Sequence, residues 1–183
     1  LFPYTTLFRS MMVFIGPPLT ESFEKFYGFT KEQSLDGVKY YREYYHDKGI
    51  YENRVYDGLE EVLKKINEAG KQAIVATSKP EEYAKIIIDH FHLTQYFACV
   101  AGMEMDGGRG TKAQVITYAL EKNDITDKSK VLMIGDREHD VIGAHENGLD
   151  CLGILYGFGS RKEFEEAGAD YIRENVEDIL QFV

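Results

Sequence analysis

Val131-Leu-Met-Ile-Gly-Asp-Arg-Glu-His-Asp140 sets an unbroken apolar run directly before a glycine and two carboxylates four residues apart. An apolar run without alternation reads as a strand buried on both faces, and the polar residues just past its end fall where such a strand leaves the core. The same pattern recurs at Ala73 to Ala76, followed by Thr77-Ser78, at Ala98 to Ala101, and at Cys151 to Leu155. Between these runs lie stretches with helical spacing, around Ile86 to Ile88, Ala113 to Lys122, His139 to Asn147 and Arg161 to Ala167. Alternating buried strands and helices predict an α/β fold with a parallel sheet covered on both faces, whose chemistry sits at the carboxyl ends of the strands.

Upstream the pattern is different. Thr20 to Tyr56 is aromatic and charged, with Phe23, Phe26 and Tyr27 at helical spacing and then Tyr40, Tyr41, Tyr44 and Tyr45. This predicts two or more helices, with the tyrosines as internal packing of a small helical layer. Leu59, Val62, Leu63 and Ile66 then begin a new amphipathic helix that Ala69-Gly70 ends, so a boundary is expected near Arg54 to Gly58. Leu1 to Ser10 agrees codon for codon with the in-frame translation of a common sequencing-library adapter and is set aside from the fold as an artefact. The expected organisation is therefore an adapter-derived segment over 1–10, a partial helical cap over 11–54 and an α/β core over 55–183.

Composition narrows the partners. The 183 residues hold 21 Lys+Arg against 31 Asp+Glu, a formal net charge of −10, with no basic run to track a phosphate backbone. A nucleic-acid partner is not expected; a small molecule is. The longest apolar run near the start, Met11 to Ile15, is too short to span a bilayer. Cys99 and Cys151 sit in apolar runs without zinc-ligand spacing, as small core hydrophobes do, and fit a reducing cytoplasm.

Thr77 and Ser78, the segment from Asp106 through Gly107 to Lys112, the Asp136/Asp140 pair, and Gly157 to Ser160 each follow one strand. Two carboxylates on one side of a tight turn can face a single hard cation such as Mg²⁺, while a hydroxyl and an ammonium suit phosphoryl oxygens. Singly, each has a plain alternative: Asp136 a helix cap, Lys112 a solvated lysine, Thr77 a hydroxyl bonded to its own turn. Their shared edge favours a phosphate-and-magnesium site. Gly107 to Lys112 lacks the residue order of a P-loop, Gly157-Phe-Gly159 has Lys162 where a dinucleotide fingerprint needs glycine, and His90 and His92 have no carboxylate pattern around them.

Val75 to Pro80, Gly110 to Gln114 and Met133 to Asp140 together resemble the second, third and fourth motifs of the haloacid-dehalogenase superfamily, with Phe14 to Leu19 and Tyr51 to Gly58 similar to the cap segment and return linker of its phosphoglycolate phosphatase and 5′-nucleotidase branches. The resemblance implies a Rossmann-like core with a helical cap that closes over the substrate. It gives Thr77 and Ser78 to phosphoryl binding, Lys112 to steadying nucleophile and phosphate, and Asp136 to Mg²⁺ with Asp140 in support. The implied reaction is hydrolysis of a small phosphorylated metabolite through an aspartyl-phosphate. No Asp-x-Asp-Gly-Thr occurs in the chain, and Asp106-Gly107 has no aspartate two residues earlier. The nucleophile, and the central first strand that carries it in such folds, are accordingly expected to be missing. Another activity of the same superfamily (mutase, phosphonatase, pyrophosphatase) and a non-catalytic pseudoenzyme stay open.

Overall fold

The computed structural model describes Phe14, residues 18–105 and residues 108–183. Leu1 to Val13, Ile15 to Pro17, and Asp106-Gly107 lie outside the described residues, and with them the adapter reading, part of the cap segment and the Asp106 comparison. The chain divides between Asn53 and Arg54 into two compact units.

Among the described residues the first unit holds two α-helices, α1 (Leu19–Tyr27) and α2 (Lys31–Asp47), and a short 3₁₀ helix, Gly49–Tyr51. α1 ends on Gly28 in the left-handed conformation, and Thr30 opens α2 with a capping box: its hydroxyl accepts from the Gln33 amide while the Gln33 side chain accepts from Thr30 N. Phe23 stacks on Phe29 and tilts against Phe14 and Tyr27. The expectation that the tyrosine stripe is internal packing holds only for Tyr45, which is buried; Tyr40 is 70% exposed, and Tyr41 and Tyr44 are also exposed. The buried line of α2 runs through Ser34, Val38 and Tyr45, at steps of four and seven. Tyr40 and Tyr44 are off that line; Tyr41, one turn before Tyr45, is on its edge and stacks on Tyr45 at 5.2 Å while keeping its outer face exposed, so helical spacing brings the aromatics near one another without aiming all of them inward.

The second unit begins with α3 (Leu59–Glu68), whose Val62 and Leu63 are buried. Then come β1 (Ala73–Pro80), α4 (Glu81–His90), β2 (Phe97–Met103), α5 (Lys112–Lys122), β3 (Leu132–Gly135), α6 (Glu138–Glu146), β4 (Asp150–Ile154), α7 (Arg161–Ala167) and β5 (Tyr171–Arg173). The chain closes on a 3₁₀ helix, Val176–Phe182. All pairings are parallel: β1 with β2 through Ala76↔Ala101 and Thr77↔Gly102, β3 with β4 through Leu132↔Asp150 to Gly135↔Gly153, and β4 with β5. The α/β class with a parallel sheet is as the sequence predicts.

The sheet is interrupted. Its strands form two separate ladders, β1-β2 and β3-β4-β5, and no described strand joins β1 to β3. Helices bridge them instead. Ile116 and Leu120 of α5, with Val141 and Ala144 of α6, form one buried cluster against which Ala76 of β1 and Met133 of β3 both pack. Between the ladders lies a cavity of about 840 Å³, lined by Ile74, Ala76, Ile116, Leu120 and Met133 and opening at the amino ends of the strands, past Gln72, Lys130 and Asp150.

Candidate active site

The site starts with a helix cap. Thr111 accepts from the Gln114 amide, and the Gln114 side chain accepts in return from Gly110 N and Thr111 N. This fixes Lys112 as the first residue of α5, and its side chain runs into the protein, where it is only 12% exposed. Its Nζ donates to the Ala76 carbonyl at 2.9 Å and pairs with Asp140 Oδ1 at 2.8 Å. A lysine so enclosed is not a solvated surface lysine, and its charge is held by the pairing.

Asp140 sits in the first turn of α6. Its Oδ2 accepts from the backbone N–H of Asp136 and of Arg137, both at 3.0 Å. With Oδ1 on Lys112, the carboxylate is engaged on both oxygens and ties the turn after β3 to the start of α5. Asp136, at the start of that turn, points elsewhere: its Oδ2 accepts from Phe158 N at 3.0 Å, and its carbonyl accepts from Gly159 N at 2.7 Å. Burial pushes the Asp136 carboxyl above its usual range; the Phe158 amide opposes this, and the Asp140 charge adds to it.

Glycines make room for these carboxylates. A Cβ on Gly135 would lie within 3.0 Å of the Asp140 side chain, one on Gly157 within 3.0 Å of Asp136, and one on Gly143 at 2.7 Å from the Lys112 stem. Arg137 extends the frame, its Nε on Glu163 Oε1 at 2.8 Å, and the same oxygen accepts from Glu138 N at 2.9 Å. Burial alone would raise the Glu163 carboxyl, yet the Arg137 and backbone hydrogen bonds bring it below the usual carboxylate range. On the other side of Asp136, Tyr156 meets Tyr56 edge to face at 4.9 Å, and burial carries the Tyr156 phenol to about 12.

Thr77 lies in the carboxyl half of β1, one residue past the carbonyl that Lys112 holds. Its Oγ1 accepts from Lys79 N at 3.1 Å, the local turn bond that the plain alternative anticipates, and the hydroxyl proton stays available to a ligand oxygen. Ser78 is half-buried beside it. The structure thus links Ala76, Lys112, Asp140 and Asp136 by direct contacts, with Thr77 adjacent through the chain. None of Thr77, Lys112, Asp136 and Asp140 lines the large cavity, which lies toward the amino ends of the strands and reaches up only to Ala76 and Met133.

Two groups give no signal in the sequence. Arg109 donates to the Gly102 carbonyl, Glu104 and Glu81 and stacks at 3.8 Å on Tyr118, anchoring the loop that delivers Lys112. Gly157 and Gly159, considered for a dinucleotide loop, instead cradle Asp136. A lone arginine in a glycine-rich loop carries no periodic signal, and what a glycine must admit depends on a side chain far away in sequence.

The haloacid dehalogenase-like hydrolase family matches residues 8–154. The chain belongs to that family. It is 45% identical to a predicted phosphatase from Clostridium acetobutylicum whose crystal structure superposes with a TM-score of 0.90, covering 94% of this chain and 80% of that one. It is 43% identical to a 5′-nucleotidase of Pseudomonas aeruginosa over 82% of this chain and 67% of the relative. Tyrosine-protein kinase PtkA of Mycobacterium tuberculosis is 34% identical over 79% of this chain, which spans about half (49%) of that protein. No described helix is long and apolar enough to cross a membrane.

Proposed function

We propose that this chain is the larger part of a Mg²⁺-dependent phosphatase that hydrolyses a small phosphate monoester, a 5′-nucleotide or phosphoglycolate, through an aspartyl-phosphate. The observation that carries the reading is the Lys112–Asp140–Asp136 linkage, a buried cation and two carboxylates set in order at one sheet edge. Family membership and the 5′-nucleotidase relative support the same chemistry.

The donor set suits a hard cation in part. No cluster of three His, Cys, Asp or Glu occurs among the described residues, so they do not offer an all-protein cage. Mg²⁺ needs none: it keeps waters and takes one or two carboxylates together with substrate oxygens. Asp136, whose burial disfavours the bare carboxylate, would be the ligand, and Asp140, already engaged, would hold the turn that presents it. The cation, when bound, would neutralise phosphoryl charge. Lys112 adds a second positive charge beside Ala76, and the Thr77 hydroxyl can donate to a phosphoryl oxygen.

What these residues do not supply is an attacking group. Asp136 and Asp140 are committed to the cation and the turn, and Glu163, the other carboxylate of the described site, is held by Arg137 and the Glu138 amide. We therefore predict that the 183-residue chain has no appreciable phosphatase activity and that a version carrying an Asp-x-Asp-Gly-Thr strand ahead of the cap does. Turnover of p-nitrophenyl phosphate with excess Mg²⁺ compares the two. Equal rates would mean that a residue already present serves as nucleophile, and the roles assigned to Asp136 and Asp140 would be wrong.

A further inference from the structure

Ser160-Arg-Lys-Glu163 has the form of a capping box, in which a glutamate three residues past the cap serine turns back to the serine amide. Only half of that box is made. Ser160 Oγ accepts from Glu163 N at 3.2 Å, but the Glu163 carboxylate leaves its own helix: Oε1 accepts from Arg137 Nε at 2.8 Å and from Glu138 N at 2.9 Å. Arg137 and Glu163 are 16% and 21% exposed, so they are not one of the solvated surface pairs that contribute little. A glutamate drawn from its own cap to that of another helix has an effect beyond α7.

That effect falls on the turn after β3. Glu138 N is the first amide of α6, a donor with no acceptor inside its helix. With Asp136 N and Arg137 N, which Asp140 takes, it completes three consecutive amides all held by side chains from later in the chain. Asp136 opens the turn, and its carboxylate is aimed from the other side, by Phe158 N on Oδ2, with Gly159 N on its carbonyl. Those two amides belong to Gly157-Phe-Gly-Ser160, a loop whose two glycines leave the backbone loose unless its ends are fixed. β4 and the bond from Leu155 N to the Arg173 carbonyl fix the first end. The second end is α7, where the buried Phe164 supplies packing without direction and Glu163 supplies the polar link to the turn.

We propose that Glu163 is a positioning residue for the cation: it holds the start of α7 against Arg137 and Glu138, and so keeps Phe158 N and Gly159 N where they leave Asp136 Oδ1 to the metal. Among the described residues no hydrogen bond takes Oδ1. The ligand oxygen is thus fixed by a circuit that closes on itself, from Asp136 through Phe158 and Ser160 to Glu163, and back through Arg137. Partners that orient a metal ligand without touching the metal change affinity by about 10–100-fold when they are lost. The inference rests on the reading of Asp136 as ligand of a hard cation; the placing of Asp136 by Glu163 does not.

Two variants separate placement from charge. Glu163→Asp keeps the charge but draws the oxygens back by one methylene, away from both donors; Glu163→Gln loses the charge but keeps an oxygen that can accept from both. Each is titrated with Mg²⁺ as the 183-residue chain by calorimetry, in about 0.5 M NaCl so that long-range charge is screened, and amide exchange at Phe158 and Gly159 is followed by NMR without metal. Glu163→Asp is expected to weaken Mg²⁺ binding by about tenfold or more and to speed both amides, while Glu163→Gln stays within about threefold of the parent. Ile179→Ala, a buried change in the C-terminal 3₁₀ helix, is the control for general loosening and should lose stability without losing Mg²⁺. Parent-like affinity in Glu163→Asp, weaker binding by Glu163→Gln than by Glu163→Asp, or an equal loss in Ile179→Ala would each overturn the proposal. If the parent itself binds no Mg²⁺, the cation reading fails and the exchange rates alone decide. Fast amides in Glu163→Asp, restored in Glu163→Gln, then keep Glu163 as the residue that places Asp136, and unchanged amides end it.

Discussion

At the scale of single residues, Asp136 and Asp140 show how one spacing yields two different carboxylates. Asp140 is saturated by Lys112 and two backbone amides; Asp136 receives one amide and is otherwise desolvated. Because the folded chain holds the Asp136 proton more tightly than the unfolded chain, stability falls as pH rises from the ordinary aspartate value of about 3.8 through the raised folded value. Above that window the cost is fully present; below about pH 3.8 it is gone. Without divalent cation, Asp136→Asn, which can still accept from Phe158 N, is therefore expected to raise Tm at pH 7, with the gain vanishing in acid. Added Mg²⁺ should raise the Tm of the parent and leave the variant unmoved. A variant no more stable than its parent at pH 7, or one stabilised equally by Mg²⁺, would show that Asp136 is neither strained by burial nor a ligand. Neither carboxylate's share is legible from the spacing alone, since the difference lies in Phe158 and Lys112, more than twenty residues away in the chain.

Elements explain which parts of the fold the sequence discloses. β1 to β4 each carry an apolar run, and the helices between them carry helical spacing, so the alternation of elements and the parallel direction of the strands are legible in the sequence alone. β5 is not, because three residues, Tyr171 to Arg173, are too few to show a period, and its pairing with β4 depends on Gly153 and Phe164 packing behind it. Helical spacing begins α5 at Ala113; the Thr111/Gln114 capping box starts it at Lys112, and this one-residue difference matters because the cap aims the lysine at Ala76. Thr111→Ala removes the hydroxyl acceptor of that box and should cost about 1 kcal/mol in chemical denaturation. If the cap also positions Lys112, Thr111→Ser should restore the loss. Wild-type stability for the alanine variant would mean that Arg109, through Gly102, Glu104, Glu81 and Tyr118, holds the loop without help from the cap.

Taken whole, the second unit is unusual in what joins its halves. In most sheets a continuous backbone ladder carries strand to strand; here β1-β2 and β3-β4-β5 meet through side chains, chiefly Ile116 and Leu120 of α5 against Ala76, Val131 and Met133. Backbone pairing is cooperative over a whole strand, whereas a side-chain cluster can be weakened at one position. Ile116 is buried at 3% exposure and belongs to this cluster while also lining the cavity between the ladders. Ile116→Ala removes methyl groups from a contact that already borders a cavity, so the surroundings gain little by collapsing, and a loss of about 2–5 kcal/mol is expected. Because no described ladder joins the halves, the loss should be uneven: hydrogen exchange in β1 and β2 should accelerate toward that of a locally unfolded segment, while β4, paired on both sides by β3 and β5, keeps most of its protection. Uniform acceleration across all five strands would show instead that the two ladders unfold as one unit, and that the helical layer couples them as firmly as a strand between them would.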